Sequence, residues 1–280
     1  MAGACRAITL VLLVFLLTSC LGYKTPTPES KEEILKMDPA TTWIRGRGLS
    51  DADIPSLSRM QNADFVDFCG GWAVEPQKVT DNGLETLANL GLPVRVFHTG
   101  FNNHITDKGL ESISKMRLDT VILECCQGIT DAGISSLMMP DTVRIIRVEG
   151  CPGITDESLR YMAQSRSLME IRLGVACESP NYTIHSEKIN GIDLSKENQI
   201  TLEGLKMLVA NKRLPETSLM DYWELYLTTN RAELLSPAAI EELRKAVAGT
   251  KCKFYIADCA DLHDRHGNSL LMYRLITDQQ

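Results

Sequence analysis

A six-residue phrase, Ile-Thr-Asp-x-Gly-Leu, recurs along this chain and limits what it can fold into. Copies with small substitutions stand at Val79–Leu84, Ile105–Leu110, Ile129–Ile134 and Ile154–Leu159. Weaker copies stand at Leu49–Ile54, Ile200–Leu205 and Leu235–Ile240. The central copies begin 26, 24 and 25 residues apart, and the outer intervals are 30, 46 and 35. A fixed period of this size means one supersecondary unit per repeat, each burying its apolar face only against its neighbours. Within each copy, Thr-Asp stands where a helix begins, and either side chain can accept a bond from the free N–H groups there. Behind it, Leu110 and Ile113, Ile134 and Leu137, and Leu159 and Met162 follow at i, i+3 and give each helix one apolar stripe.

A second phrase precedes each copy: apolar-x-x-apolar-x-apolar-x-x-Cys/Asn. Leu118–Cys126 and Val143–Cys151 fit fully, Tyr222–Asn230 fits, and Val94–Asn102 fits with Thr99 in one apolar slot. Leu168-x-x-Ile171-x-Leu173 ends in Ala176, Ile189-x-x-Ile192-x-Leu194 ends in Glu197, and Val66-x-Phe68 and Phe254-x-Ile256-x-x-Cys259 are partial. The apolar-x-apolar core alternates with period two, which is a short strand with one face inward.

Together the two phrases resemble the leucine-rich repeat, in its cysteine-containing subtype, over about residues 45–260. The resemblance implies an α/β solenoid with parallel strands on the concave face and helices on the convex face. The expected organisation is a signal peptide at 1–19, a tether at 20–30, an N-terminal cap at 31–48, repeats at 49–260 and a C-terminal cap at 261–280. The segment 176–188 carries Pro180 and no helical stripe, and reads as an insertion.

Residues 1–20 carry one cation, Arg6, and an apolar run from Ile8 to Leu17, too short to span a bilayer and of signal-peptide proportions. The run ends in Leu17-Thr18-Ser19-Cys20, which resembles the lipobox of bacterial lipoproteins. That resemblance implies cleavage before Cys20, a lipid on its thiol, and an envelope protein that is anchored without spanning. Leu21 is not aspartate, which by the same analogy favours the outer membrane.

The cysteine count is nine, odd and spread along the chain, unlike a dense disulfide scaffold. Cys126 and Cys151 share a slot with Asn102 and Asn230, so they read as small wall residues rather than nucleophiles. Cys125 points the other way in the strand register and is expected to be the accessible thiol. The sequence His263-Asp264-Arg265-His266 holds three ligand-type groups in a short loop but lacks a third nearby histidine, so no metal or other cofactor is expected. No phosphate loop, nucleophile elbow or His-Glu-x-x-His appears. The expectation is a non-enzymatic protein.

The strand register also assigns the outward side chains. One column runs Asp67, His98, Ile122, Arg147, Arg172, Asp193, Tyr226, Tyr255, and the next runs Cys69, Gly100, Glu124, Glu149, Gly174, Ser195, Thr228, Ala257. Arginine and tyrosine most often carry interface energy. The expected partner-binding residues are therefore Glu124, Arg147, Glu149, Arg172, Tyr226 and Tyr255, facing an unknown protein or surface polymer. A net charge of -7 argues against nucleic acid. Two rivals are weaker. An F-box-type substrate adaptor, suggested by family analogy, conflicts with the export signal and leaves no room for an F-box after Cys20. An enzyme would have to use Cys125 or the 263–266 loop.

Overall fold

The structure, a computed structural model, describes residues 27–69, 78–175, 188–189, 192–193, 196–214, 222–258 and 274–276. Six short strands run in sequence: β1 (Trp43–Arg45), β2 (Phe65–Asp67), β3 (Val96–Gly100), β4 (Thr120–Glu124), β5 (Ile145–Glu149) and β6 (Glu170–Gly174). A two-stranded antiparallel hairpin follows, β7 (Lys188–Ile189) and β8 (Ile192–Asp193). Then come β9 (Trp223–Thr229), β10 (Cys252–Asp258) and β11 (Arg274–Ile276). Among the described residues, β1 to β6 and β9 to β11 form one nine-stranded sheet in chain order. It is parallel throughout except at its last edge, where β11 runs antiparallel to β10.

Helices fill the other layer. α1 (Lys31–Lys36) and a 3-10 turn (Ile54–Arg59) precede α2 (Asp81–Asn89), α3 (Asp107–Ile113), α4 (Asp131–Met138), α5 (Asp156–Gln164) and α6 (Leu202–Asn211). The short α7 (Ala232–Leu235) leads into α8 (Pro237–Val247). Between the layers lies one apolar core. Val121 and Leu123 of β4, Ile146 and Val148 of β5, and Ile171 and Leu173 of β6 meet Leu110, Ile134, Leu137, Leu159 and Met162 from the helices, each essentially sealed from solvent. The architecture is a leucine-rich-repeat solenoid of parallel strands and outer helices.

The recurring phrase explains how the repeats lock. Each Thr is the N-cap of its own helix: Thr106 Oγ1 accepts from Lys108 N–H, and Thr80, Thr130 and Thr155 do the same for α2, α4 and α5. The same Thr also donates backward. Thr106 N–H and Oγ1–H donate to Asp81 Oδ1 and Oδ2 of the preceding repeat at 2.8 and 2.7 Å. Asp51 receives Thr80, Asp107 receives Thr130, and Asp131 receives Thr155 in the same way. Asp156 receives Thr201 across 45 residues, so the ladder steps over the insertion between β6 and β9. Asp81, Asp107, Asp131 and Asp156 open their helices, where the helix dipole also favours an anion. At Asp131, burial would raise the carboxyl, but bonds from Ser158 and Thr155 outweigh it and hold the group below its ordinary range.

The glycine of the phrase makes room for this ladder. A Cβ at Gly109 would fall 2.5 Å from Asp81 Oδ1, and Gly109 N–H donates to that oxygen at 3.0 Å. Gly83, Gly133 and Gly204 stand equally close to Asp51, Asp107 and Asp156. Ser158 fills the slot in one repeat and donates its hydroxyl to Asp131.

The Cys/Asn slot forms a second ladder. Asn102 Nδ2 donates to Val79 O at 2.8 Å, and the thiols of Cys126 and Cys151 turn to Glu124 O and Glu149 O at 3.4 and 3.5 Å. Both are free, fully buried thiols. Two expectations about this slot need correction. After β6 the slot is not filled by Glu197, and Ala176 lies outside the described residues. Asn198 fills it, accepting from Gly174 N–H and donating to Cys151 O. Asn230 is exposed, and the ladder does not extend to it. The 189–194 pattern is not a repeat strand either, since β6 pairs directly with β9 and Asp193 sits in the separate hairpin. The cap segment 31–48 contains α1 and also β1, which starts the sheet.

The ladder predicts an inverted glycine effect. Gly→Ala in a helix ordinarily gains about 1 kcal/mol. Gly109→Ala is expected to destabilise by about 1–3 kcal/mol, as overpacking against Asp81 does. The other close atom, Leu84 Cδ1, is the end of a side chain that can shift. In an Asp81→Ala background the same substitution should become neutral or stabilising. Urea unfolding of the four proteins gives the cycle, and equal penalties in both backgrounds would refute the mechanism.

Candidate functional site: the outward face of the sheet

Register places the outward side chains in columns across the strands. The middle column runs Arg45, Asp67, His98, Ile122, Arg147, Arg172, Tyr226, Tyr255. A flanking column runs Gly100, Glu124, Glu149, Gly174, Thr228, Ala257, and the other runs Phe65, Val96, Thr120, Ile145, Glu170, Glu224, Lys253. All six residues expected to bind a partner lie on this face, but they fall into two groups of different character.

The first group is a chain of alternating charge across β1 to β5. Arg45 Nε meets Asp67 Oδ2 at 3.0 Å, and Asp67 Oδ1 lies 3.2 Å from His98 Nδ1. His98 Nε2 lies 3.5 Å from Glu124 Oε2, Glu124 Oε1 meets Arg147 at 3.2 Å, and Arg147 Nε meets Glu149 Oε2 at 2.8 Å. The group is sheltered: Asp67, His98 and Glu149 are buried and Glu124 and Arg147 are mostly so. Burial would raise the Glu124 carboxyl, but Arg147 and His98 override it and hold the group down to about 2. Burial also opposes ionisation of Asp67, yet His98, the Cys69 N–H and Arg45 keep its carboxyl below the usual range. His98 is raised well above its ordinary value, against burial, by Asp67 and by Cys69.

The second group, across β6 to β10, is a stack. Arg172 Nε meets Glu170 Oε1 at 2.6 Å, and its guanidinium lies 4.5 Å from the centre of the Tyr226 ring. Tyr226 and Tyr255 stack at 4.7 Å with their planes 8° apart. Tyr226 Oη donates to Glu224 Oε2 at 2.9 Å, and Lys253 Nζ lies 3.3 Å over the Tyr222 ring. Burial and then Glu224 push both phenols above their ordinary range, so they remain donors. Arg172 is as sheltered as Arg147, with its side chain 17% exposed against 18%, and Tyr226 and Tyr255 are half-buried.

Three other expected residues stand as follows. Cys125 is not accessible. The chain takes a left-handed turn there (φ 52°), as at Phe101 and Gly150, and the thiol is 2% exposed. Burial, then Glu124 and Cys126, push that thiol well above the ordinary range, which leaves it a poor nucleophile. Cys20 and the 263–266 loop lie outside the described residues. Sequence reasoning put Asp67, Cys69 and His98 in the outward columns yet attached no role to them. The signal was available, since the columns make Asp67 and His98 cross-strand neighbours.

Because Glu149 and Glu124 share one guanidinium, Arg147→Met would take that cation from two sheltered carboxylates. Removing one partner of a buried pair is strongly destabilising. A loss of about 3 kcal/mol in urea unfolding is expected for Arg147→Met. A loss under about 0.5 kcal/mol would show that the network is a solvated surface.

A family model described as Leucine Rich repeat matches residues 100–114, the end of β3 through α3. No curated protein matches the chain. Among solved structures 42 chains match, including one described as the crystal structure of the Rad7 and Elc1 complex in yeast. That match has 14% identity and a TM-score of 0.33, and covers 74% of this chain and 60% of that one. This chain thus spans less than two thirds of that chain's length.

Proposed function

We propose that this protein is a non-enzymatic scaffold that binds another protein on the outward face of its sheet, at Arg172, Tyr226 and Tyr255. The observation that carries the reading is the stack itself. Two parallel tyrosine rings capped by a guanidinium give a rigid, flat, amphipathic patch with little rotamer entropy to lose on docking, and Tyr and Arg anchor interfaces more than other residues. Glu124, Arg147 and Glu149 contribute differently from the sequence expectation. Their charges are matched to one another, so they fix the shape and potential of the neighbouring surface rather than meeting a partner as free ions. A surface polymer is the second reading, since the same flat rings can stack on sugar faces.

The envelope location rests on the sequence alone. Leu17-Thr18-Ser19-Cys20 supplies a lipid-attachment signal, and we place the solenoid on a tether from a lipidated Cys20, in the outer membrane. No helix among the described residues is long and apolar enough to cross a membrane.

Crosslinking in intact cells, followed by affinity measurement with the protein captured, tests the docking surface. Tyr226→Ala and Tyr255→Ala are each expected to weaken capture about tenfold or more with the thermal midpoint little changed, as interface anchors do. Unaltered capture by both variants would sink the assignment, and capture of glycan alone would replace it with the second reading. The anchor is checked separately by radiolabelled palmitate, which should label the wild type and not Cys20→Ala. Label persisting in that variant would overturn the lipidation.

A further inference from the structure

At the first-group end of the face, three ligand-type side chains converge that the docking reading does not use. Asp67 ends β2, Cys69 follows two residues later, and His98 lies on β3 directly opposite Asp67. One donor atom from each (a carboxylate oxygen, Cys69 Sγ and an imidazole nitrogen) lies within 4.8 Å of the other two. All three residues are buried. The geometry points to Asp67, Cys69 and His98 as a three-ligand site for a divalent transition metal, with zinc the best match.

The donor set selects the metal. Thiolate and imidazole are ligands of zinc, and a carboxylate completes sets seen in open zinc sites, whereas calcium and magnesium take oxygen alone. Bond lengths of about 2.0–2.3 Å in a tetrahedron put ligand atoms roughly 3.5 Å apart. Asp67 Oδ1 and His98 Nδ1 already stand at 3.2 Å.

The surroundings are those a metal site requires. A metal-bound histidine almost always gives its other N–H to a carboxylate or carbonyl. Here His98 Nε2 faces Glu124 Oε2 at 3.5 Å, and Arg147 orients that carboxylate in turn. Asp67 keeps its second oxygen on Arg45, while the Cys69 N–H donates to Oδ1 at 2.7 Å and ties the two ligand residues together. Gly100 makes the thiol's seat: a Cβ there would lie 2.9 Å from Cys69 Sγ. Any other residue at position 100 would displace the sulfur.

The charges balance on binding. Cys69 releases its thiol proton and His98 Nδ1 its own, while Nε2 keeps its hydrogen toward Glu124. Two protons leave for one dication, so the net charge of the sheltered group is unchanged. Three protein ligands leave a fourth position, which water fills in open zinc sites. Zinc here would tie β2 to β3 and stiffen the end of the face opposite the tyrosine stack.

Cobalt(II) titration of the reduced, purified full chain tests the site. One equivalent should bind with a thiolate-to-cobalt charge-transfer band, and zinc should displace it. Cys69→Ser should abolish the band. Glu124→Gln, a positioning change, should weaken binding about 10–100-fold and keep the band. Absence of saturable binding by the folded wild type, or a band that survives Cys69→Ser, would overturn the proposal. X-ray absorption of the zinc-loaded wild type needs no variant: one sulfur at about 2.3 Å beside nitrogen and oxygen neighbours is expected. A shell without sulfur would refute the site even if Cys69→Ser fails to fold.

Discussion

The hydrogen bonds from Thr to the Asp of the preceding repeat are what the rest of the structure depends on. A helix leaves its first N–H groups without intrahelical partners. Here one threonine both satisfies such a group in its own helix and, through its proton, ties that helix to the one before. The bond fixes where each helix starts relative to its neighbour, and therefore the register of the strand that precedes it. The columns of the sheet are a consequence. With Asp81 set against Thr106 and Asp107 against Thr130, His98 comes to lie beside Ile122 and Gly100 beside Glu124. A register shift of one residue would send every outward side chain to the core.

The ladder also explains which sequence interval counts as a repeat. Spatial neighbours are set by who bonds to whom, not by residue count. Asp156 reaches Thr201, and Asn198 reaches Cys151, across 45 and 47 residues. Both bonds close over β6 and the β7–β8 hairpin, and the repeats stack across them. The solenoid tolerates the hairpin because each unit needs only the two faces of its neighbours.

Much of this was legible because periodicity is a property of sequence. The helices α2 to α5, the strands β3 to β6 and the caps Thr80, Thr106, Thr130 and Thr155 follow from pattern alone. What failed did so for physical reasons. Ile189, Ile192 and Leu194 carry the strand spacing, but two-residue alternation cannot distinguish a repeat strand from a short hairpin, and the pattern holds no information on pairing partner. Asn198 is not legible by counting from the strand before the slot, because the residue arrives from beyond the insertion. Strand alternation points Cys125 to the accessible side only if it is extended one residue past the strand. The chain leaves the strand there through a left-handed turn, and alternation ends with it. The need for glycine at positions 100 and 109 is not legible in the sequence, because the atoms that crowd them, Cys69 Sγ and Asp81 Oδ1, belong to other repeats.

The outward face shows why a list of exposed residue types is a weak guide to what a sheet presents. Arg147 and Arg172 occupy adjacent strands in one column, and by residue type they are equivalent. Their neighbours separate them. Arg147 stands between Glu124 and Glu149, and the acidic flanking column at β4 and β5 draws it into a sheltered network that continues through His98 to Asp67. At β6 Arg172 has Gly174 in that flanking column instead of a glutamate. It pairs with Glu170 on the other side and lies over Tyr226. One glycine for glutamate in a single column thus divides the face into a polar, internally matched end and an aromatic end that still presents a ring surface. The parallel register keeps the two ends a fixed number of strands apart.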